Sequence, residues 1–225
     1  MIKELFAALE VYSDDAPRSA AMNMAIDEAL LESAAAPSIR FYCWEYPALS
    51  FGYFGRFADV ADKASECDLV RRWTGGGTVF HGEDMTYSIV IPASETAFNE
   101  LSMSIYKKIH HALCDALNVI AKRAELSDAA TITDRRYNDC FANPVQADVM
   151  IDGRKVAGAA QRRTRGGLLQ QGSVQYVDLG NGLAQRFVQA LSANCRERKL
   201  ADKVLNRAWE PARQKYGSDA WLRRR

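Results

Sequence analysis

The chain has no Cys-x-x-Cys pair. Its five cysteines, Cys43, Cys67, Cys114, Cys140 and Cys195, are scattered through 225 residues, a spacing that suggests neither a zinc cluster nor a disulfide framework. An odd count with no apolar leader segment is the pattern of a reducing, cytoplasmic compartment. No run is long and apolar enough to cross a membrane. Charge of one sign is missing too: the formal net charge is +1, which gives no global attraction to nucleic acid or to an acidic membrane surface. The basic tail Arg223-Arg224-Arg225 is expected to be a solvated helix end. There is no internal repeat and no low-complexity linker, so one domain over residues 1–225 is expected, with a helical C-terminal end from about 182 onward. What remains is the composition of an ordinary globular protein, 48% hydrophobic and 25% charged.

The most informative stretch is Arg71-Arg72-Trp73-Thr74-Gly75-Gly76-Gly77-Thr78-Val79-Phe80-His81-Gly82. Three consecutive glycines strip side chains from a loop and let its amides approach a ligand closely. Arginine suits paired hydrogen bonds to phosphate or carboxylate. No Gly-Lys-Ser/Thr follows, which rules out a Walker A loop, and no Gly-x-Gly-x-x-Gly is present, which rules out the dinucleotide fingerprint. Taken alone, the triplet fits either a ligand loop or a flexible approach to a hairpin. Thr78 to His81 and Met85 to Ile91 are β-forming runs separated by Gly82-Glu83-Asp84, a hairpin-like break.

Elsewhere the pattern alternates helices and strands. Leu5 to Tyr12 is a candidate first strand, broken by Ser13 to Pro17. Ala20 to Leu31 is a helix with Met22, Ile26 and Ala29 or Leu30 on one face. Asp27 and Glu28 are adjacent and therefore point apart, as expected of solvated or capping acids. Ser38 to Trp44 is a strand, Pro47 to Gly52 a turn and short strand, Asp59 to Cys67 a short helix and Asp68 to Arg71 a strand. Ala97 to Lys122 is the longest helix, capped by Ser94 or Thr96, with Leu101, Ile105, Ile109, Leu113 and Leu117 as its apolar stripe. His110 and His111 on it face different ways and lack an acidic or cysteine partner for a metal. Cys43, Cys67 and Cys114 fit structural positions, the first and last of them in the core. Thr131 to Tyr137 is loop-like. Ala147 to Ile151 and Lys155 to Gln161 are strands joined by the tight-turn pair Asp152-Gly153. Gly166-Gly167 turns into a strand over Leu168 to Val177, and two or three helices follow, with Cys195 between them. Hairpins with flanking helices indicate an α+β fold with a largely antiparallel or mixed sheet rather than a doubly wound parallel one.

The run Arg-Arg-x-x-Gly-Gly-Gly-x-Val-Phe-His resembles the ligand-binding loop of the biotin/lipoate protein ligase superfamily. Asn23-Met-Ala-Ile-Asp-Glu-Ala-Leu30 resembles the first helix of its lipoate branch. The Arg40-Phe-Tyr strand and the Leu49-Ser-x-Gly52 strand resemble the pair lining its acyl pocket, and Asp148-x-x-x-x-Gly-Arg-Lys155-Val-x-Gly158-Ala159 its active-site lysine hairpin. The likeness covers most of Ala20 to Tyr176. It implies the superfamily's class II synthetase-like catalytic fold. Two departures are visible: Gly158-Ala159-Ala160 replaces Gly-Ser-Ala, and Gln171-Gly172 stands where His-Gly is common. Biotin transfer is disfavoured because the Gly-Arg-Gly-Arg type of loop is absent.

Cys140-Phe141-x-x-Pro144 resembles the nucleophile loop of octanoyltransferases, although Asp148 stands where a glutamate is expected beside it. Alone, Cys140 also fits a chance buried thiol, and Lys155 a surface turn residue. Together, the resemblance implies that Cys140 is the nucleophile and Lys155 its activator and oxyanion partner. An ammonium nearby lowers a thiol pKa from about 8.5 and raises the thiolate fraction. Arg72, Thr74, Gly75, Gly76, Gly77, Thr78, Val79 and Phe80 are expected to hold the donor's polar end, with His81 orienting that loop and Gly158 and Ala159 on the acyl side. The implied partners are acyl carrier protein as donor of an octanoyl or lipoyl group and, as acceptors, lipoyl-domain proteins such as the glycine-cleavage H protein or a dehydrogenase E2 subunit. No cofactor is obligatory in this scheme and no metal is expected. The alternative is a lipoate–protein ligase, which requires ATP and Mg2+ and makes Cys140 incidental; this chain has little room for such an enzyme's accessory domain. A third possibility is a non-catalytic acyl-binding relative.

Overall fold

The computed structural model describes residues 4–120, 123–128, 144–180 and 182–224. Among these, eleven strands and five α-helices form two sheets and two helical layers. The strands are β1 (Leu9–Arg18), β2 (Ser38–Trp44), β3 (Ala48–Phe51), β4 (Asp68–Arg71), β5 (Thr78–His81), β6 (Met85–Pro92), β7 (Ala124–Leu126), β8 (Val149–Ile151), β9 (Arg154–Arg163), β10 (Gly167–Val174) and β11 (Cys195–Arg198). The helices are α1 (Ala20–Ser33), α2 (Ser102–Val119), α3 (Leu183–Leu191), α4 (Asp202–Pro211) and α5 (Asp219–Leu222). The large sheet runs β11-β1-β2-β6-β10-β9-β8-β7, and the small one β4-β3-β5. Only β11–β1, β1–β2 and β3–β4 pair in parallel, so the expected mixed, mainly antiparallel α+β architecture is what forms.

Alternation along β6 divides the core. Tyr87, Ile89 and Ile91 face a cluster with α2 and α3, while Val90 faces α1 and α4. The helix α2 contributes Ile105, Ile109, Leu113 and Leu117 to the first cluster, all fully buried, each stabilising by about 1.5–3 kcal/mol relative to exposure. Leu101, at the head of that stripe, is instead exposed, because α2 starts at Ser102 after a separate 3-10 turn over Thr96–Asn99. Neither Ser94 nor Thr96 caps it: the N-cap is Leu101, and no side chain bonds there.

Several local expectations give way to tertiary context. The break over Ser13 to Pro17 is strand, because β1 continues to Arg18 through a register shift after Asp14. Its pairing with β11 ends at Tyr12, so Pro17 lies where one edge of the strand is open and a missing N–H is tolerated. The stretches Thr78–His81 and Met85–Pro92 do not form a hairpin: β5 pairs with β3, whereas β6 pairs with β2 and β10. The chain therefore crosses from the small sheet to the large one at Gly82 to Asp84. Asp59 to Cys67 is two 3-10 turns, Phe57–Asp59 and Ala61–Ser65, not one helix. Cys43 is exposed rather than in the core, and Cys195 lies between α3 and α4 as expected, on the edge strand β11. The Arg tail is not simply solvated: Arg71 Nη2 donates to the carbonyls of Leu222 and Arg224, and the Arg224 guanidinium lies 4.3 Å from the centroid of the Tyr53 ring. Among the described residues, no helix is long and apolar enough to cross a membrane.

Candidate active site

The two sheets enclose a cleft of about 460 Å3 of non-atom space, part of it open to solvent. On one wall are Ser50, Arg72, Gly76, Val79 and His81, from the small sheet and its glycine loop. On the other are Lys155, Gly158, Ala159 and Gly172, from β9 and β10.

The glycine loop is folded by its own arginine. Arg72 Nη1 donates to Ser50 Oγ at 2.6 Å, and Nη2 donates to the carbonyls of Gly75 and Gly77 at 3.1 and 2.8 Å. Gly76 has φ +83°, a conformation that favours glycine. A Cβ on Gly52 would lie 2.0 Å from the Gly76 carbonyl oxygen, so the loop closes against β3 only because both positions are glycine. Thr74 donates to Gln171 Oε1 at 2.8 Å, and Gln171 Nε2 donates to Asp27 at 2.8 Å. Asp27 is thus fully buried, not solvated, and it also accepts from Arg40, Tyr42 and Ser88. Glu28 does point away from it, as helix geometry requires, and pairs with Lys215 at 2.8 Å.

Of the residues expected from sequence, Arg72, Gly76, Val79, His81, Lys155, Gly158 and Ala159 line the cleft. Thr74 is buried beneath it. Gly75, Gly77 and Thr78 shape the loop without lining the cleft, and the Phe80 ring is exposed outside it. Arg71 is structural: besides the C-terminal carbonyls it holds those of Tyr53 and Gly55. Cys140, the expected nucleophile, lies outside the described residues, as does the expected loop Thr131 to Tyr137.

Lys155 follows the tight turn expected at Asp152-Gly153, whose residues have φ +49° and +76°, both positive as in a type I′ turn. Its ammonium is buried, 2.7 Å from Asp148. A Cβ on Gly158 would lie 2.7 Å from Lys155 Nζ, so glycine at 158 leaves space for the ammonium to fold over β9. Asp148 is held in turn by the Tyr106 hydroxyl at 2.6 Å and the Val145 amide at 2.7 Å. Tyr106 Oη also accepts from the Ala159 amide, tying α2 to the cleft wall.

His81 bridges the sheets. Nε2 lies 2.7 Å from Ser50 Oγ and Nδ1 2.8 Å from Asp84 Oδ2, and its ring stacks on Trp44 at 4.2 Å. Burial alone would raise the Asp84 carboxyl pKa. Hydrogen bonds from His81, Ser173 and Thr86 outweigh it and hold the carboxyl below its ordinary range. Sequence reasoning placed Ser50 only within a strand resembling an acyl-pocket lining, and did not single out Asp84, Thr86, Ser173 or Tyr106 as functional. Hydroxyls at alternate positions of an otherwise apolar strand, Thr86 and Ser88, were the available sign.

His110 sits behind this wall, against the Tyr106 ring, with Nδ1 2.6 Å from the Ala147 carbonyl. Burial pushes its pKa down to about 4, against the ordinary 6.5; Lys155 adds to that effect, while Asp148 and the Ala147 carbonyl oppose it. A neutral native imidazole leaves stability whole above pH 6.5 and erodes it as pH falls towards 4, because the unfolded chain takes up the proton first. Between pH 7.5 and 4.5 the loss should be on the order of 2–3 kcal/mol. Urea midpoints of the protein and of His110→Leu at both pH values check this: the variant should lose that much less than the parent across the interval.

The family model of the lipoyl protein ligase A/B catalytic domain matches residues 19–207, and the chain belongs to this family. The octanoyltransferase LipM of Oceanobacillus iheyensis is 35% identical over 181 residues, covering 77% of this chain and 64% of that protein. The octanoyltransferase LipM of Halalkalibacterium halodurans is 34% identical over 213 residues, covering 84% of this chain and 76% of that one. The chain thus spans 64% of the length of the first relative. In fold it is similar to a bi-partite lipoate protein ligase from Thermoplasma acidophilum, from a structural analysis of that ligase and its E2 lipoyl domain. The TM-score is 0.74 at 20% identity, over 97% of this chain and 96% of that one.

Proposed function

We propose that this protein is an acyltransferase of protein lipoylation, working as a single catalytic domain over residues 1–225. It moves an octanoyl or lipoyl group from acyl carrier protein, through a thioester on Cys140, to a lysine of a lipoyl-domain protein such as the glycine-cleavage H protein or an E2 subunit. The observation that carries the reading is the cleft between the sheets, with the buried Lys155–Asp148 pair in its wall and the side-chain-poor segment Gly158 to Ala160 beside it. The similarity to proteins named octanoyltransferase LipM supports the reaction type.

In this scheme the Cys140 thiolate attacks the donor thioester carbonyl. A new C–S bond forms, the donor thiolate leaves, and Lys155 with the neighbouring backbone stabilises the oxyanion. The neutral acceptor lysine then attacks the enzyme thioester, the amide forms and Cys140 leaves. Pro144, which begins the described stretch bearing Asp148 and Lys155, is four residues after Cys140, a chain length of at most about 14 Å. No ATP or metal enters.

Intact-protein mass spectrometry after mixing with octanoyl-acyl carrier protein, without ATP, tests this directly. The protein should acquire a thioester-labile octanoyl adduct and Cys140→Ser should not. If there is no adduct but a lipoyl domain is acylated once free lipoate, ATP and Mg2+ are supplied, the protein is a ligase. Silence in both assays would mean a binding relative without catalysis.

A further inference from the structure

The proposed chemistry leaves one proton unaccounted for, and the cleft holds a group placed to take it. An ordinary lysine has a pKa of about 10.4, so at pH 7 roughly one acceptor side chain in 2,500 is uncharged and able to attack. Lys155 is already an ammonium paired with Asp148, with no lone pair to accept a proton.

The opposite wall differs. Asp84 Oδ2 accepts from the hydroxyls of Ser173 and Thr86, each at 2.7 Å, and Oδ1 accepts from the Gly82 amide at 3.2 Å. A carboxylate only accepts, so the His81 nitrogen 2.8 Å from it, Nδ1, is the donor. In the neutral imidazole Nε2 is then the acceptor, and it faces the Ser50 hydroxyl at 2.7 Å. Ser50 Oγ receives a hydrogen bond from Arg72 at 2.6 Å, and its own proton is free to point to His81 Nε2 when that nitrogen carries none. The row Ser50–His81–Asp84 therefore has the connectivity of a nucleophile–base–orienter array, with Ser50 at the cleft wall. The crossover at Gly82 to Asp84 creates it: His81 ends the small sheet and Asp84 precedes the first strand of the large one in that segment.

We propose that Ser50, His81 and Asp84 form a proton relay that deprotonates the acceptor lysine in the second half-reaction. This rests on the acyl-transfer reading. The acceptor ammonium gives a proton to Ser50 Oγ as Ser50 passes its own to His81 Nε2. The freed amine lone pair attacks the acyl carbonyl and the C–N bond forms. The C–S bond breaks, and the second amine proton leaves with the Cys140 sulfur. Asp84 stabilises the imidazolium, which then releases its proton to solvent. Besides Asp84, the ionisable groups around the relay are Arg72, which reaches it through Ser50, and Tyr42 and Lys155, which line the same cleft.

The test separates the half-reactions. Octanoyl-enzyme formation and transfer from isolated octanoyl-enzyme to a lipoyl domain are timed in single turnover from pH 6 to 10, for wild type, His81→Gln, Asp84→Asn and Ser50→Ala. Thermal melts identify which variants are folded. In folded variants, transfer at pH 7 should fall by at least about 30-fold more than octanoyl-enzyme formation does. Transfer should recover to within about fivefold at pH 10, where the acceptor ionises unaided. A structural defect would not recover with pH. Equal loss in both halves, unchanged transfer, or no recovery at pH 10 would overturn the relay. Wild type that takes up no octanoyl group would instead sink the acyl-transfer reading. The same comparison begun from preformed lipoyl-adenylate then decides the relay, since that route also needs a neutral lysine.

Discussion

Lys155→Met should reduce turnover by about 1,000-fold or more and, separately, destabilise the protein by about 3 kcal/mol. The first effect follows from removing the cation in the cleft wall that is proposed to meet the developing oxyanion, where a single lost donor costs about 100–1,000-fold, together with its proposed influence on the Cys140 thiol. The second follows from Asp148. Its side chain is fully buried and 2.7 Å from the lost ammonium, and a buried carboxylate deprived of its countercharge is costly. Two hydrogen bonds, from Tyr106 and Val145, remain to soften that cost. Asp148→Asn combined with Lys155→Met should therefore recover most of the stability and none of the activity. Urea denaturation and single-turnover acyl transfer read the two quantities separately. Recovery of turnover in the double variant would remove Lys155 from the chemistry.

Arg40→Met should cost about 3–5 kcal/mol, the largest stability effect of any single exchange considered for this protein. Arg40 is fully buried and joins two carboxylates, Asp27 at 2.9 Å and Asp14 at 2.8 Å, as well as the Asn23 side chain at 2.7 Å. Removing it leaves the fully buried Asp27 with only hydroxyl and amide partners at the contact between α1 and the large sheet, while Asp14 keeps its pair with Arg18 at 2.7 Å. The damage should extend to the cleft, because Asp27 holds Gln171 and Gln171 holds Thr74 of the glycine loop. Equilibrium urea unfolding measures the first effect, and amide exchange at Gly75 to Gly77 the second. A loss below about 1 kcal/mol would mean that solvent or side-chain rearrangement satisfies the two acids.

The elements that local sequence pattern specified well are those whose partners are near in the chain or whose propensity is strong. The strand Ser38–Trp44, the strand Asp68–Arg71, the start of α1 at Ala20 and the Asp152-Gly153 turn all form where alternation, helix propensity and turn chemistry place them. The glycine loop and the lysine hairpin were legible as motifs, and the fold brings Arg72, Gly76, Val79, His81 and Lys155 to one cleft. Asp27 was not legible. Periodicity tells which way a helical side chain points relative to its neighbours, and says nothing of an arginine 13 residues further along waiting inside. The turn between Thr78–His81 and Met85–Pro92 misled for a related reason. Two β-forming runs around a glycine suit a hairpin, and only the competing partners β3, β2 and β10 draw them into different sheets.

By itself, then, the sequence determined most element types, the mixed α+β class, the family and the short list of candidate groups, because these depend on side-chain chemistry and on contacts within a few residues. The tertiary structure alone decided which polar groups are buried, that Phe80 stays outside the cleft while Ser50 and Asp84 flank His81, and that Arg71 anchors the C-terminal tail. Those outcomes depend on long-range pairing. Burial makes an unpaired polar group costly, so each such residue takes its role from a partner that another strand or helix delivers.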